Sequence, residues 1–132
     1  MITLKKAEEE DANFRSTVDG HVKSIADGRA YIILNDGAPV GVIAYTMFWE
    51  ELPFLTLIKL LPEYRRRGFG REAIALFEEE LKKLGFCALL VSTQTDEEAQ
   101  HFYRKAGYRE CGCLILDGAL KQPMEMFFIK SF

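Results

Sequence analysis

The sequence predicts a mixed α/β fold in which helices pack on a single sheet. Two observations predict it: apolar segments of strand length alternate with segments whose apolar residues recur every three or four positions, and glycine or proline turns separate them. The chain has 132 residues, enough for one domain with its own core. Because it contains no repeat, low-complexity tract or linker, the predicted domain spans residues 1–132.

The N-terminal part predicts a strand, helical structure and a hairpin. Residues 2–5 have strand character, and residues 7–27 carry an apolar stripe at helical spacing. Strands are predicted at 31–34 and 40–45, because Asp36-Gly37 between them readily forms a left-handed turn.

The middle of the chain predicts a strand followed by an amphipathic helix. Residues 54–61 form the strand, bounded by Pro53 and Pro62, since proline suits strand ends. The helix begins at Gly68 or Gly70 and ends at Gly85, which can adopt the left-handed cap.

The C-terminal part predicts a strand, a helix and two further strands. The continuous apolar run 86–91 indicates a strand buried on both faces. A helix capped by Thr95 or Asp96 ends near Gly107, and strands follow at 108–116 and 124–129.

Composition excludes several classes of protein. The net charge of −3 argues against a general nucleic-acid binder. We find no signal peptide and no apolar run of the ~18 residues that a membrane span needs, so a cytoplasmic protein without a membrane partner is expected. The three cysteines, Cys87, Cys111 and Cys113, are read as packed or half-exposed free thiols, and no metal site is predicted.

The segment from Arg65 to Gly70 is a candidate anion site. It reads Arg-Arg-Arg-Gly-Phe-Gly and lies between a predicted strand and a predicted helix. Glycines let a phosphate approach the unpaired N–H groups of the helix start, and arginines add positive charge. The segment matches neither a P-loop nor the dinucleotide fingerprint. By spacing alone, a solvated basic turn remains the alternative.

Two blocks of the sequence resemble the GNAT superfamily of N-acetyltransferases. Arg65-x-x-Gly68-x-Gly70 is similar to its acetyl-CoA signature, Gln/Arg-x-x-Gly-x-Gly/Ala. Residues 96–108 resemble its second block, Asn-x-x-Ala-x-x-Phe-Tyr-x-x-x-Gly-Phe. The resemblance covers about residues 54–108. It implies a mixed, mostly antiparallel sheet of about six to seven strands flanked by about four helices, and acetyl transfer from acetyl-CoA to an amine.

The resemblance also implies which residues contact acetyl-CoA. The end of the strand before the loop would offer backbone groups to the pantetheine arm, and the loop and helix start would hold the pyrophosphate. These residues are Leu60, Leu61, Arg65, Arg66, Arg67, Gly68, Phe69, Gly70 and Arg71. Asp96 stands where the family has Asn, so it is a candidate contact to the cofactor arm, with a helix N-cap as the alternative.

Candidate catalytic residues follow from the same resemblance. Tyr103 falls on the family's tyrosine, whose hydroxyl lies near the sulfur and protonates the leaving thiolate; the alternative is a core tyrosine. Glu50 and Glu51, just upstream of the strand before the loop, are the candidate general bases, or else belong to a solvated turn beside Trp49.

The acceptor is expected to be a primary amine of a small molecule or peptide, and a homodimer is predicted through residues 124–132 as an exposed strand edge. Two rival interpretations are a non-catalytic acyl-CoA-binding module and a small interaction domain with a fortuitous basic turn.

Overall fold

The computed structural model describes residues 1–14, 28–94, 98–115 and 124–132. Its strands are β1 (Ile2–Lys6), β2 (Ala30–Asn35), β3 (Ala38–Phe48), β4 (Leu52–Leu60), β5 (Ala88–Gln94), β6 (Arg109–Ile115) and β7 (Met124–Ser131). Its helices are α1 (Phe69–Lys83) and α2 (Ala99–Lys105), with short 3₁₀ helices at Glu9–Asp11 and Pro62–Tyr64.

All seven strands join one sheet in the order β1-β2-β3-β4-β5-β7-β6. Every neighbouring pair is antiparallel except β4 and β5, which run parallel. The predicted mixed, mostly antiparallel sheet is therefore confirmed. Besides α1 and α2, residues 12–14 of the described ranges are helical, so three helical segments are described rather than about four helices, and most of the predicted helical stretch 7–27 lies outside these ranges.

Local signals place α1 as predicted. Gly68, at φ 80°, caps its start, and Gly85, at φ 95°, follows its end. Its apolar stripe faces the sheet and buries Ala73, Ile74, Phe77 and Leu81. Phe77 is fully buried, and its ring packs against Tyr31 and Tyr45 with centroids 5.8 and 5.5 Å apart. The helix is thus held on β2 and β3 by aromatic and aliphatic packing.

The starts of β4 and β5 differ from the prediction. β4 begins at Leu52, so Pro53 lies within the strand, where it pairs with Met47 near the β3–β4 turn. β5 begins only at Ala88, and Cys87 is exposed rather than buried in the strand. Cys111 and Cys113 are exposed as well.

The last strand is not an edge. β7 pairs with β5 on one side and with β6 on the other, so its backbone groups are used within the sheet. The reason given for a dimer through residues 124–132, a free strand edge, is therefore wrong. β6 forms that edge, and its register with β7 shifts between Glu110 and Gly112.

A buried carboxylate joins α1 to the C-terminal strands. Glu78 is 6% exposed. It accepts hydrogen bonds from the hydroxyl of Tyr108, at 2.7 Å, and from Nζ of Lys130, at 2.9 Å. Lys130 also donates to the carbonyl of Ala106, at 2.9 Å. Because a buried charge needs partners, this network fixes α1 against β7 and the end of α2.

The hydroxyl of Tyr108 gives a pH-dependent prediction. Burial, and then the hydrogen bond to Glu78 and its charge, raise the pKa of Tyr108 far above its ordinary value of about 10. A pKa that is higher in the folded state than in the unfolded state stabilises the fold below about pH 10, and this contribution is lost as pH rises further. We expect Tyr108→Phe to lower the unfolding free energy at neutral pH by about 1–3 kcal/mol.

Urea unfolding at neutral pH and at about pH 10.5 checks this prediction. The parent protein should lose more stability over that interval than Tyr108→Phe does, because the variant lacks the titrating group. Equal losses in the two proteins would contradict it.

Candidate functional site

The site is built around a gap between β4 and β5. Their parallel ladder contains the pair Phe54 and Leu90 and, in the described strands, no other pair. β4 remains bound to β3 along its length, and β5 to β7, so both strands are fixed on their outer sides. The gap opens toward the carboxyl ends of both strands, where side chains from both faces of the sheet can meet.

A bulge in β4 contributes to this separation. Ala44 pairs with Leu57 and Tyr45 pairs with Leu55, so Thr56 is the extra residue. The hydroxyl of Thr56 donates to the carbonyl of Ala44, at 3.2 Å. A bulge bends its strand and increases the local twist. In the described strands, the pairing of β4 with β5 does not continue past this bulge.

The arginine loop follows directly after β4. Arg66, at φ 63°, and Gly68, at φ 80°, are both in the left-handed region, and α1 begins at the next residue. All three arginines are exposed. Arg65 donates from Nε to the carbonyl of Leu60, at 3.0 Å, and Arg67 lies over the ring of Tyr64, 5.7 Å from its centroid. The loop therefore presents positive charge beside the free N–H groups of a helix start.

A groove of about 350 Å³ runs from this loop along the end of β4 toward α2. Its lining consists of Ile58, Lys59, Leu60, Arg65, Gly70, Ala99, Phe102 and Tyr103. A Cβ atom on Gly70 would lie 3.5 Å from Cε2 of Phe102 and 3.8 Å from Cδ1 of Leu60. Glycine at this position thus keeps the loop end of the groove open.

Several predicted cofactor residues have side chains that point elsewhere. Leu61 packs against the cluster of Ala7, Ala30, Ile32, Val42 and Ala44, on the other face of the sheet. Arg71 donates from Nη2 to the carbonyl of Lys105, at 2.9 Å, and so ties α1 to the end of α2. Phe69 packs against Tyr64, with centroids 6.4 Å apart. Leu61 and Phe69 could contact a ligand in the groove through their backbone groups, whereas Arg71 keeps N–H donors beyond the one that Lys105 uses.

A second cavity, of about 390 Å³, lies in the gap itself. Five consecutive residues of β4, from Phe54 to Ile58, form one wall. The other side consists of Ser92, Thr93, Ala99, Tyr103 and Glu125. The cavity therefore combines apolar walls with two hydroxyl-bearing side chains of β5 and one carboxylate of β7.

Tyr103 lies where the groove and the second cavity meet. It lines both, together with Ile58 and Ala99. The side chain is only 7% exposed, and its ring is held among Phe102, Tyr108 and Phe128 at centroid distances of 5.3, 5.9 and 6.4 Å. A tyrosine fixed in this way can present one polar group to ligands that approach from either side.

The two predicted bases are not at this junction. Glu50, at φ 60°, and Glu51 form the exposed turn between β3 and β4, where the backbone N–H of Glu51 donates to the carbonyl of Phe48, at 3.1 Å. Neither lines the groove or the second cavity. The turn that carries them precedes the wall formed by residues 54–58, and neither carboxylate is among the groups that meet Tyr103 in the described cavities.

Other predicted features fall outside the site or outside the described residues. Asp96, the candidate cofactor contact or helix cap, lies in the stretch 95–97, which is not described. Over the described ranges, no group of three or more His, Cys, Asp or Glu side chains is placed to hold a metal ion. In the same part of the chain, no helix is both long enough and apolar enough to cross a membrane.

Glu125 is the site feature that the sequence analysis missed. It belongs to the apolar strand β7 and pairs across the sheet with Gln94 of β5. The signal was a lone carboxylate in the otherwise apolar start of that strand, Met-Glu-Met-Phe-Phe. A carboxylate in an apolar strand indicates a candidate site, because a half-buried charge is costly unless a protein group or a ligand pairs with it.

The sequence matches the family model described as Acetyltransferase (GNAT) family over residues 3–108. No curated protein sequence matches the chain significantly.

Solved structures resemble the whole chain. An acetyltransferase from Bacillus anthracis in complex with acetyl coenzyme A has 17% identity and a TM-score of 0.82, covering 100% of this chain and 99% of that one. The ribosomal-protein-S18-alanine N-acetyltransferase from Escherichia coli has 16% identity and a TM-score of 0.77, covering 99% of this chain and 94% of that one. Arabidopsis thaliana Naa50 in complex with the bisubstrate analogue CoA-Ac-MVNAL has 19% identity and a TM-score of 0.78, covering 99% of each chain. At these identities the likeness shows the fold.

Proposed function

The chain belongs to the GNAT acetyltransferase family, and on this premise we propose that it moves the acetyl group of acetyl-CoA to a primary amine of a small molecule, peptide or protein. The transfer is direct, within a ternary complex of protein, acetyl-CoA and acceptor. The single observation that supports this most is the position of Tyr103 between the groove and the second cavity. Two substrates that enter from opposite sides would meet there.

The proposed cofactor site uses the groove and the loop before α1. The pyrophosphate would bind N–H groups from Arg66 to Arg71, because the N–H of Arg65 already donates to the carbonyl of Pro62, at 3.2 Å. The exposed arginines would add positive charge. The pantetheine arm would lie beside Leu60 and Gly70, where the missing side chain of Gly70 leaves room. Structural relatives crystallised with acetyl-CoA or CoA support this choice of co-substrate.

The chemistry requires one proton to leave the amine and one to reach the thiolate. Acetyl-CoA supplies an activated acyl group on a thiol leaving group. An acceptor that arrives as an ammonium group first gives one proton to water. The neutral amine then attacks the thioester carbonyl, the carbon–sulfur bond breaks, and the hydroxyl of Tyr103 donates a proton to the departing sulfur. The nitrogen of the new amide releases its surplus proton to water, and water reprotonates Tyr103. A phenol with its ordinary pKa near 10 is protonated at neutral pH and can do this. Within the pair of cavities, Tyr103 is thus assigned the role of general acid.

The amine-acceptor assignment draws on the known relatives. One neighbour in structure is named as acting on an alanine of a ribosomal protein, and another was solved with a bisubstrate analogue that includes a peptide sequence. The second cavity, open between β4 and β5, is the place where an amine of either kind would reach the thioester.

A Tyr103→Phe variant tests the mechanism. We expect kcat for amine-dependent release of CoA to fall by about 100-fold, because a positioned acid contributes on this scale, while the affinity for acetyl-CoA changes little. Thiol release from acetyl-CoA in the presence of a panel of amines measures kcat, and calorimetry measures the affinity. Tyr64→Phe is a matched control, because Tyr64 lies in the 3₁₀ helix before the arginine loop and lines neither cavity.

The results also separate enzyme from binding module. Turnover that is unchanged in Tyr103→Phe would remove Tyr103 as the acid. Tight acetyl-CoA binding without turnover of any amine would favour the non-catalytic acyl-CoA-binding module. No binding of acetyl-CoA at millimolar concentration would contradict both the acetyltransferase and the acyl-CoA-binding module.

A further inference from the structure

We propose that Glu125 binds the ammonium group of the acceptor and thereby restricts acceptors to primary amines that carry no carboxylate on the neighbouring carbon. This inference rests on the proposed function and deepens it, since it names the class of acceptor. It starts from one juxtaposition: Glu125 and Tyr103 line the same cavity between β4 and β5.

The position of Glu125 is fixed by the sheet. Its backbone pairs with Gln94 on β5 and with Leu114 on β6, so it is held from both sides. A residue on an interior strand has less freedom than one on a loop. The carboxylate can therefore serve as a fixed point for orienting a ligand that enters the gap.

The carboxylate of Glu125 has no hydrogen bond or ion pair with any residue that the structure describes. By contrast, the buried Glu78 is paired with Tyr108 and Lys130, and the exposed Glu79 is paired with Lys82. Glu125 is also half-buried, which makes an unpaired charge costly. A ligand cation would supply the missing partner.

The surroundings of Glu125 determine which ligands it can accept. Phe54, Leu55, Leu57 and Ile58 make the β4 wall largely apolar, and none of the described lining residues of this cavity is a cation. In such surroundings a carboxylate attracts an ammonium group and repels a second carboxylate. An amine on an apolar group fits this cavity, whereas an amino acid with a free α-carboxylate does not.

The test uses two probes that differ only in a carboxylate, phenethylamine and phenylalanine. Each is titrated by calorimetry into protein saturated with CoA, and each is tested for CoA release from acetyl-CoA. We expect the parent protein to bind phenethylamine at least about tenfold more tightly than phenylalanine, on the scale of one charge–charge interaction. In Glu125→Gln, KM for phenethylamine should rise about tenfold with a smaller change in kcat, and the preference over phenylalanine should disappear.

Two further variants distinguish ligand binding from a structural role. Glu125→Asp keeps the charge and should restore part of the preference. Glu79→Gln makes the same substitution on the exposed face of α1 and should leave both probes unaffected. Melting temperatures of all variants check that the fold is intact.

The outcomes keep this inference separate from the proposed function. If acetyl-CoA binds but the two probes bind equally, or Glu125→Gln leaves the preference unchanged, the inference is wrong and the acetyltransferase proposal stands. If neither probe binds the CoA-saturated protein, the inference is also wrong. If acetyl-CoA itself does not bind, the proposed function is wrong, and the inference that rests on it is wrong as well.

Discussion

A Gly70→Asp variant is expected to lose affinity for acetyl-CoA by about 100-fold or more, equivalent to about 2.7 kcal/mol. The new Cβ would lie 3.5 Å from the ring of Phe102 and would narrow the groove at its loop end. The added carboxylate would stand where a pyrophosphate is proposed to bind. An aspartate in the first turn of a helix favours the helix itself, so the loss should come from binding and not from unfolding.

Gly70→Asn is the matched control for this prediction. It has nearly the size of aspartate but no charge, so it should weaken binding less than Gly70→Asp does. Calorimetric titration with acetyl-CoA gives both affinities, and thermal unfolding without ligand confirms that the variants fold. Unchanged affinity in Gly70→Asp would mean that the groove beside Gly70 does not hold the cofactor.

A Phe77→Ala variant is expected to lower the free energy of unfolding by about 3–5 kcal/mol. Phe77 is 0% exposed and lies between α1 and the sheet, in ring contact with Tyr31 and Tyr45. Its removal leaves a cavity that these neighbours can fill only in part, and buried area is lost on three elements at once.

Leu76→Ala, one position away, is the control for Phe77→Ala. Leu76 is 37% exposed on the same helix, so its truncation should cost about 1 kcal/mol or less. Urea unfolding followed by circular dichroism measures both changes. Similar losses in the two variants would contradict the assignment of Phe77 to the centre of the core.

The elements that the sequence predicted well are those with local signals. The hairpin of β2 and β3 follows from Asp36-Gly37, and α1 follows from its three-and-four spacing between Gly68 and Gly85. The number of strands was also predicted, because the apolar runs are separated by clear turns. Each of these signals acts over a few residues, which is the range in which a single sequence is informative.

The features that could not be predicted depend on pairing between distant residues. Nothing local shows that β7 inserts between β5 and β6, and this insertion removes the strand edge expected at residues 124–132. The same insertion places Glu125 in one cavity with Tyr103, whereas the family resemblance had favoured Glu50 and Glu51 as acids of the site. The motif residues of the cofactor loop were identifiable, but the use of Arg71 to tie α1 to α2 required coordinates.

The gap between β4 and β5 affects how strongly the two halves of the sheet are attached to each other. The sheet consists of two hydrogen-bonded halves that meet at the pair Phe54 and Leu90. One half contains β1, β2, β3 and β4, and the other contains β5, β7 and β6, so each half of the sheet comes from one half of the chain. Backbone bonding therefore contributes little across this seam, and the attachment depends on side-chain packing in a core cluster that includes residues of both halves, among them Phe77 and Phe128. A ligand bound in the gap would contact both halves and connect them reversibly. The free energy of unfolding should therefore rise with the fraction of the protein that has ligand bound.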